Sequence, residues 1–334
     1  ADATPRLPRD TPAPGPAVNH GTAVIAHPHD AHATLTTANT SKLLRPDLPV
    51  LARSETRRVV ANMASFGTDA TVDPYTIFAQ RFYLALRSPT KYLVQDWLIS
   101  VPGTRLRKEL SPPPNGRWIL AGIGRFGSRM AVKMEEADVP FTVIDVHPDR
   151  VDSRPGSVLG RGTEAGTLVQ AGVKDAVGII AGTGDDVDNL SIVMTALELN
   201  PDLFVVARQE NPQFDELFDA SGADLVARRS FIVARRILFM ATTPLLSVFI
   251  DHLVGHSEEF AENVEKQLEH ALHGRAPSLW TVNLVGAWSE SLRAAERENV
   301  PILLEHISQN SRTPSAEELH CVCLLIERGA SRVF

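Results

Sequence analysis

One feature constrains this chain more than any other. Its early part superposes on its later part, without a gap, at an offset of 155 residues. Ala26 meets Ala181, Asp30 meets Asp185 and Leu35 meets Leu190. Pro46-Asp47-Leu48 meets Pro201-Asp202-Leu203, Val50 meets Val205, and Ala52-Arg53 meets Ala207-Arg208. Glu55, Gly67, Asp69, Ala79 and Arg81 then meet Glu210, Gly222, Asp224, Ala234 and Arg236. Self-similarity at a single offset marks a duplicated supersecondary unit, so whatever fold the later copy adopts, the earlier one adopts too. At the usual ~150 residues per domain, the 334 residues leave room for about two domains.

The later copy is the more complete. After the linker-like SPPPN at 111–115 comes a buried-strand pattern, RWILAG at 117–122. The expected order is then helix 124–137, strand 141–145, strand 157–160, helix 164–171, strand 178–181, helix 185–199, strand 204–208 and helix 212–221. Strands separated by helices of this length require right-handed crossovers and a parallel sheet. The earlier copy reads as a strand at TAVIA (22–26), a helix to Leu44 and a strand at PVLAR (49–53). Its opening strands and glycine loop would fall before residue 1, so the first unit is expected to be partial. The absence of an initial Met suggests a piece of something longer.

Directly after the strand WILA stands Gly122-Ile123-Gly124-Arg125-Phe126-Gly127, a G-x-G-x-x-G that opens a helix. Each glycine has a physical reason in a dinucleotide fingerprint. Gly122 permits the tight turn, Gly124 lets the backbone approach a pyrophosphate, and Gly127 allows close helix–strand packing. Arg125 and Phe126 sit in the loop itself, whose N–H groups and helix dipole would face the phosphates. Asp145 and Val146 follow at the end of the second strand, 23 and 24 positions beyond Gly122. A carboxylate there can accept from both ribose hydroxyls of an adenosine, and it would repel a 2′-phosphate.

These residues together resemble the RCK family, the regulators of potassium conductance, also seen as the NAD-binding subunits of Trk- and Ktr-type potassium uptake systems. The resemblance rests on WILAGIGRFGSRMAVKM, VIDVHPDR, AGVKDAVGIIAGTGDDVDNLSIVMTALELNPDLFVVAR and SGADLVARRSFIVARRI. It covers roughly 116–240, and the repeat extends it to 22–86. It implies an α/β fold: Rossmann-like, doubly wound parallel sheets in tandem, with a small α+β module at the C-terminus. The expected division is a disordered proline-rich segment 1–21, a partial first unit with a linker helix 22–110, a complete RCK N-terminal domain 116–250, and the terminal module 275–334.

The resemblance also implies a function: a non-enzymatic, cytosolic ligand-sensing domain at the inner face of the cell membrane. It would bind an adenine nucleotide, NAD(H) or ATP, ADP or AMP, and some family members bind Ca²⁺. It would form a homo-oligomer through RCK–RCK contacts beneath a potassium channel or transporter pore, supplied by a partner or by an upstream part of the parent chain. Thr183 and Asp185 sit where the sheet edge faces a ligand in such folds. Family members commonly carry Gly-Asp-Ala-Thr after the third strand, whereas this chain has Gly160-Arg161-Gly162-Thr163. The acid that approaches the adenine has become Arg161, which either stacks on the base or pairs with a phosphate. Arg208 ends the fifth strand, where it either reaches a phosphate or forms an interdomain salt bridge.

Composition narrows the alternatives. The formal net charge is −7, from 33 basic and 40 acidic residues, which argues against a nucleic-acid partner. Two cysteines exclude a four-cysteine zinc cage. His27, His29 and His32 with Asp30 match no standard metal cage, and His252 and His256, four apart near Glu258 and Glu259, read as an exposed polar face before a metal site, so no metal is expected. Cys321 and Cys323 read as structural thiols on one face of a strand. The run 235–250 is apolar enough for an interface helix, although Pro244 interrupts it. The rival reading is an NAD-dependent oxidoreductase. Such an enzyme needs an acid or base presented by a second lobe, and the chain holds only six lysines and no catalytic motif after residue 240.

Overall fold

The computed structural model describes residues 24–26, 31–48, 50–53, 57–65, 67–68, 70–106, 111–152, 154–279, 324–328 and 331–333. The proline-rich start, His27, His29, Cys321, Cys323 and most of the expected terminal module lie outside the described residues. The chain forms two compact units, one from 1–87 and 112–237, the other from 88–111 and 238–334. Both expected RCK-like segments, 22–110 and 116–250, are thus shared between the two units.

The first unit starts with β1 (Val24–Ala26), α1 (Ala31–Leu44), β2 (Val50–Arg53), α2 (Arg57–Ser65), β3 (Ala70–Val72) and α3 (Pro74–Arg87). Its three strands pair in parallel in the order β1-β2-β3. Helix α4 (Pro89–Ile99) belongs to the second unit. The first unit resumes with β4 (Trp118–Ala121), α5 (Arg125–Glu136), β5 (Phe141–Asp145), the single turn α6 (Pro148–Val151), β6 (Val158–Leu159), α7 (Ala165–Gln170) and β7 (Gly178–Ala181). It ends with α8 (Asp186–Leu199), β8 (Phe204–Gln209), α9 (Asp215–Ala220), β9 (Leu225–Arg228) and α10 (Arg229–Thr242), the last crossing into the second unit. These strands make a six-stranded parallel sheet in the order β6-β5-β4-β7-β8-β9. The fold is the expected Rossmann-like α/β arrangement. Strand β9 lies beyond the last strand expected from the pattern.

The repeat is visible element by element. At the 155-residue offset α1 falls on α8 and α3 on α10, end for end, and β1, β2 and β3 fall within β7, β8 and β9. Burial repeats as well. Ala26 and Ala181, Val50 and Val205, and Ala52 and Ala207 are all fully buried, and Met63 stands where Phe218 does. The same small and branched side chains are therefore sealed in the same places of both sheets.

The larger sheet is covered on both faces, which is why its strands read as continuous apolar runs. Successive side chains alternate between faces. Trp118, Leu120, Ile180 and Val206 pack on Phe126, Met130 and Met134 of α5. Ile119, Ala121, Ile179 and Val205 pack on Leu168, Ile192, Val193 and Phe218. Helix α3 of the first copy joins the former layer through Tyr75, Ala79 and Phe82. Phe82 meets Trp118 edge to face, with ring centroids 5.3 Å apart, the preferred geometry for two aromatic quadrupoles.

The second unit packs α4 with α11 (Pro244–Gly255) and α12 (Glu258–Leu272) around Val94, Trp97, Phe249, Leu253, Ala261 and Leu268. Lys91, buried on α4, donates to the carbonyls of Val254 (3.2 Å) and His256 (2.5 Å). A cation at the end of α11 satisfies carbonyls that the helix leaves open. The apolar run 235–250 is two helices rather than one. It breaks at Thr243, because Pro244 has no N–H to continue the ladder. Among the described residues no helix is long and apolar enough to cross a membrane.

Candidate functional site

In open α/β sheets ligands bind outside the carboxyl ends of the strands, where the strand order reverses. Here the chain runs outward from β4 to β5 and β6, then crosses back to β7 on the other side of β4. A cavity of about 220 Å³ opens at that point, against the ends of β4, β5 and β7. Of the residues singled out in the sequence, it is lined by Gly122, Gly124, Asp145, Val146, Arg161 and Thr183.

The three motif glycines separate into two kinds. Gly122 takes φ +91°, and a Cβ there would stand 3.0 Å from the Thr183 amide, so the turns after β4 and β7 can approach only without a side chain. A Cβ on Gly127 would lie 2.0 Å from the Gly122 carbonyl oxygen, so α5 sits directly on the turn. Packing within the chain accounts for both. It does not account for Gly124, where an added Cβ would meet nothing within 4 Å. Gly124 is the N-cap of α5 and offers no side-chain cap to the helix. Its missing side chain leaves open space between a helix N-terminus and the cavity, where oriented N–H groups favour an anion.

Asp145 is held by two loops. Its Oδ2 accepts from the Ile123 amide at 2.8 Å and its Oδ1 from the His147 amide at 2.9 Å. Arg150 Nη1 stands 3.5 Å from Oδ2. The carboxylate therefore ties the glycine turn to the turn after β5. Asp145→Ala would remove the charged acceptor of two partly buried amides and is expected to cost about 1–3 kcal/mol of stability, measured by urea unfolding. An unchanged midpoint would show that neither loop depends on it.

Thr183 is fixed through the fully buried Asn189, whose Oδ1 accepts from the Thr183 amide at 2.9 Å. Asn189 Nδ2 donates onward to the Arg208 carbonyl at 2.9 Å. The wall formed by Thr183 is thereby pinned to β8.

Five expected site residues lie outside the cavity lining. Arg125 is exposed on the first turn of α5. Phe126 is fully buried, against Tyr75 and Phe78, because position two of the helix faces the sheet. Gly127 makes the packing contact just described. Asp185 caps α8, accepting from the amides of Val187 (2.8 Å) and Asp188 (3.0 Å). Arg208 is in a buried network: Nε donates to Glu210 at 2.7 Å, Nη1 to the Thr183 carbonyl at 2.9 Å and Nη2 to the Tyr75 hydroxyl at 2.6 Å. Arg229 pairs with the same Glu210. The ion pair that Arg208 forms is with Glu210, two positions further on, rather than between domains, and Tyr75 of α3 joins it through a hydroxyl hydrogen bond.

The cavity also recruits residues to which the sequence assigns no site role, notably His147, Arg150 and Asp188. One signal was available. Arg150 lies five positions after Asp145, within the VIDVHPDR block, and the one-turn helix α6 carries it back over the strand end. Elsewhere, the His252 and His256 rings are 4.7 Å apart. Desolvation, then the neighbouring His256, holds His252 below the ordinary imidazole range. Among the described residues no group of three or more His, Cys, Asp or Glu is arranged to hold a metal.

The TrkA-N domain model matches residues 118–228. Potassium channel protein 1 of Methanocaldococcus jannaschii is 28% identical over 163 residues, 46% of this chain and 49% of that protein. An uncharacterized protein of Methanothermus fervidus is 31% identical over 173 residues, 50% of this chain and 27% of that protein. The chain thus spans about half the length, or less, of the curated relatives it matches. Among solved structures, the GsuK RCK domain superposes with a TM-score of 0.53 at 19% identity, covering 70% of this chain and 65% of that one. GsuK bound to ADP gives 0.51 at 23% identity, covering 67% and 52%. Sheet order, glycine turn and sequence match agree: residues 118–228 of this chain match the TrkA-N domain model and fold as a Rossmann-like parallel sheet.

Proposed function

We propose that this chain is a ligand-sensing regulatory domain of a potassium channel or transporter, and that it binds an adenine nucleotide in the cavity at the ends of β4, β5 and β7. The ligand is NAD(H) or ATP, ADP or AMP. Two related structures support that class: GsuK has been solved bound to ADP and bound to NAD. One observation in this chain carries the reading. Gly124 is the motif glycine that internal packing does not require, and it faces the cavity from a helix N-terminus.

In this reading Gly124 and the first amides of α5 receive the phosphates, and Asp145, Val146 and Arg161 surround the ribose and base. Thr183 forms the opposite wall. Regulation follows from linkage: a nucleotide that binds one conformation of the assembly better than another shifts the population toward it. The domain does this without catalysis, as a homo-oligomer on the inner face of the membrane, coupled to a pore.

The test is a titration of NADH, NAD, ATP, ADP and AMP against the purified chain, repeated with Gly124→Ala. Saturable binding of at least one is expected. The substitution should weaken it by about tenfold, 1.4 kcal/mol, while leaving the melting temperature within about 2 °C. Absence of binding by all five ligands sinks the proposal. Binding that is indifferent to Gly124→Ala would place the phosphates elsewhere.

A further inference from the structure

Asp145 was assigned to the ribose hydroxyls on sequence grounds, and a 2′-phosphate was disfavoured for the same reason. The structure gives that carboxylate other work. Its side chain is 4% exposed, and both oxygens already accept backbone amides. Arg150 stands 3.5 Å from one of those oxygens. At 4% exposure little of the carboxylate is within reach of a ligand.

What this end of the cavity presents is cationic. Arg161 is exposed and lines the cavity, and its guanidinium makes no hydrogen bond or ion pair among the described residues. It is tied next to the acid, because the amide of the preceding Gly160 donates to the Asp145 carbonyl at 3.0 Å. Arg150, with 47% of its side chain exposed, lines the same end. The other acid in the lining, Asp188, is on α8 beyond β7, on the far side of β4 from Asp145. A guanidinium is a donor-only, planar fork. It meets a hydroxyl through one ordinary hydrogen bond but a phosphate through two charge-assisted ones. In folds of this kind an arginine near the ribose is what accommodates a 2′-phosphate.

We infer that Arg161 and Arg150 form an anion subsite at the ribose end of this cavity, and that the ligand it selects is a nicotinamide dinucleotide bearing a ribose 2′-phosphate. The inference rests on the nucleotide reading above and specifies its ligand. The test is a fluorescence titration of the whole chain with NADH and NADPH, in the wild type and in Arg161→Gln, with circular dichroism to confirm that the variant folds. NADPH is expected to bind at least about tenfold more tightly than NADH in the wild type. In Arg161→Gln the ratio should fall to within about threefold of unity, and added salt should weaken NADPH more than NADH in the wild type. NADH binding as tightly as NADPH, or a preference that survives Arg161→Gln, overturns the subsite while leaving the nucleotide reading in place. If NADH, NAD, NADPH, ATP, ADP and AMP all fail to bind, both readings fall together.

Discussion

Gly127→Ala is expected to unseat helix α5 and to destroy the candidate site with it. The added Cβ would lie 2.0 Å from the Gly122 carbonyl oxygen and 3.0 Å from its carbon, both backbone atoms. A flexible side chain could swing aside, but this turn cannot. Gly122 already holds φ +91°, and its amide donates to the Ile144 carbonyl at 2.7 Å. The strain has to be relieved by lifting the helix, which carries Phe126, Met130 and Met134, all fully buried against the sheet. Overpacking ordinarily costs 1–3 kcal/mol, and a collision with backbone belongs at the top of that range, about 3 kcal/mol or more. For a unit of this size that corresponds to a fall of roughly 6–12 °C in melting temperature. Nucleotide binding should disappear as well, because the amides at the start of α5 move. A melting temperature within about 2 °C of wild type would mean that the turn and helix are not in the contact described.

The second large effect belongs to Phe82→Ala. Phe82 is 1% exposed and meets the fully buried Trp118 edge to face. Removing a buried phenyl ring costs about 3–5 kcal/mol, from lost transfer energy and from the cavity left behind. The site of the loss matters more than its size. Phe82 lies in the first copy of the repeat, and Trp118 in the first strand of the second. Helix α3 and the six-stranded sheet should therefore lose stability together, in one unfolding transition shifted to lower denaturant. Phe231→Ala, at a ring 49% exposed, is the control and should move the midpoint little. Two separate transitions in Phe82→Ala, with the sheet unaffected, would show that α3 merely rests on the surface.

Local patterns carried much of the fold. The offset matched α1 to α8 and α3 to α10, because the duplicated segments keep their lengths and the identical residues between them, such as Pro46-Asp47-Leu48 and Pro201-Asp202-Leu203. The strand, glycine turn and helix around Gly122 to Gly127 were legible because the glycines stand at motif spacing directly after a strand, although the contact that bars a side chain at Gly122 comes from Thr183, far along the chain. Strand β9 was harder to read. Its side chains are only partly buried, so its apolar signal is weaker than that of β7 or β8. The break before Pro244 was visible as a proline but was outweighed by the apolar residues on either side of it.

The candidate site divides along the same line. The sequence by itself determined that strands and helices alternate around a parallel sheet, that the unit is duplicated, and that a glycine turn followed by Asp145 meets at one sheet edge. These are properties of nearest neighbours and of period. Only the tertiary structure decided what each side chain faces. It put Phe126 in the core, turned Asp185 into a helix cap, and drew Arg208 into a buried network with Glu210 and Tyr75, 133 residues away from that tyrosine in sequence. It also left Arg161 facing the cavity beside a carboxylate already occupied by amides. Whether a charged group is spent inside the protein or offered to a ligand depends on partners that folding brings from elsewhere in the chain, and a local motif does not contain them.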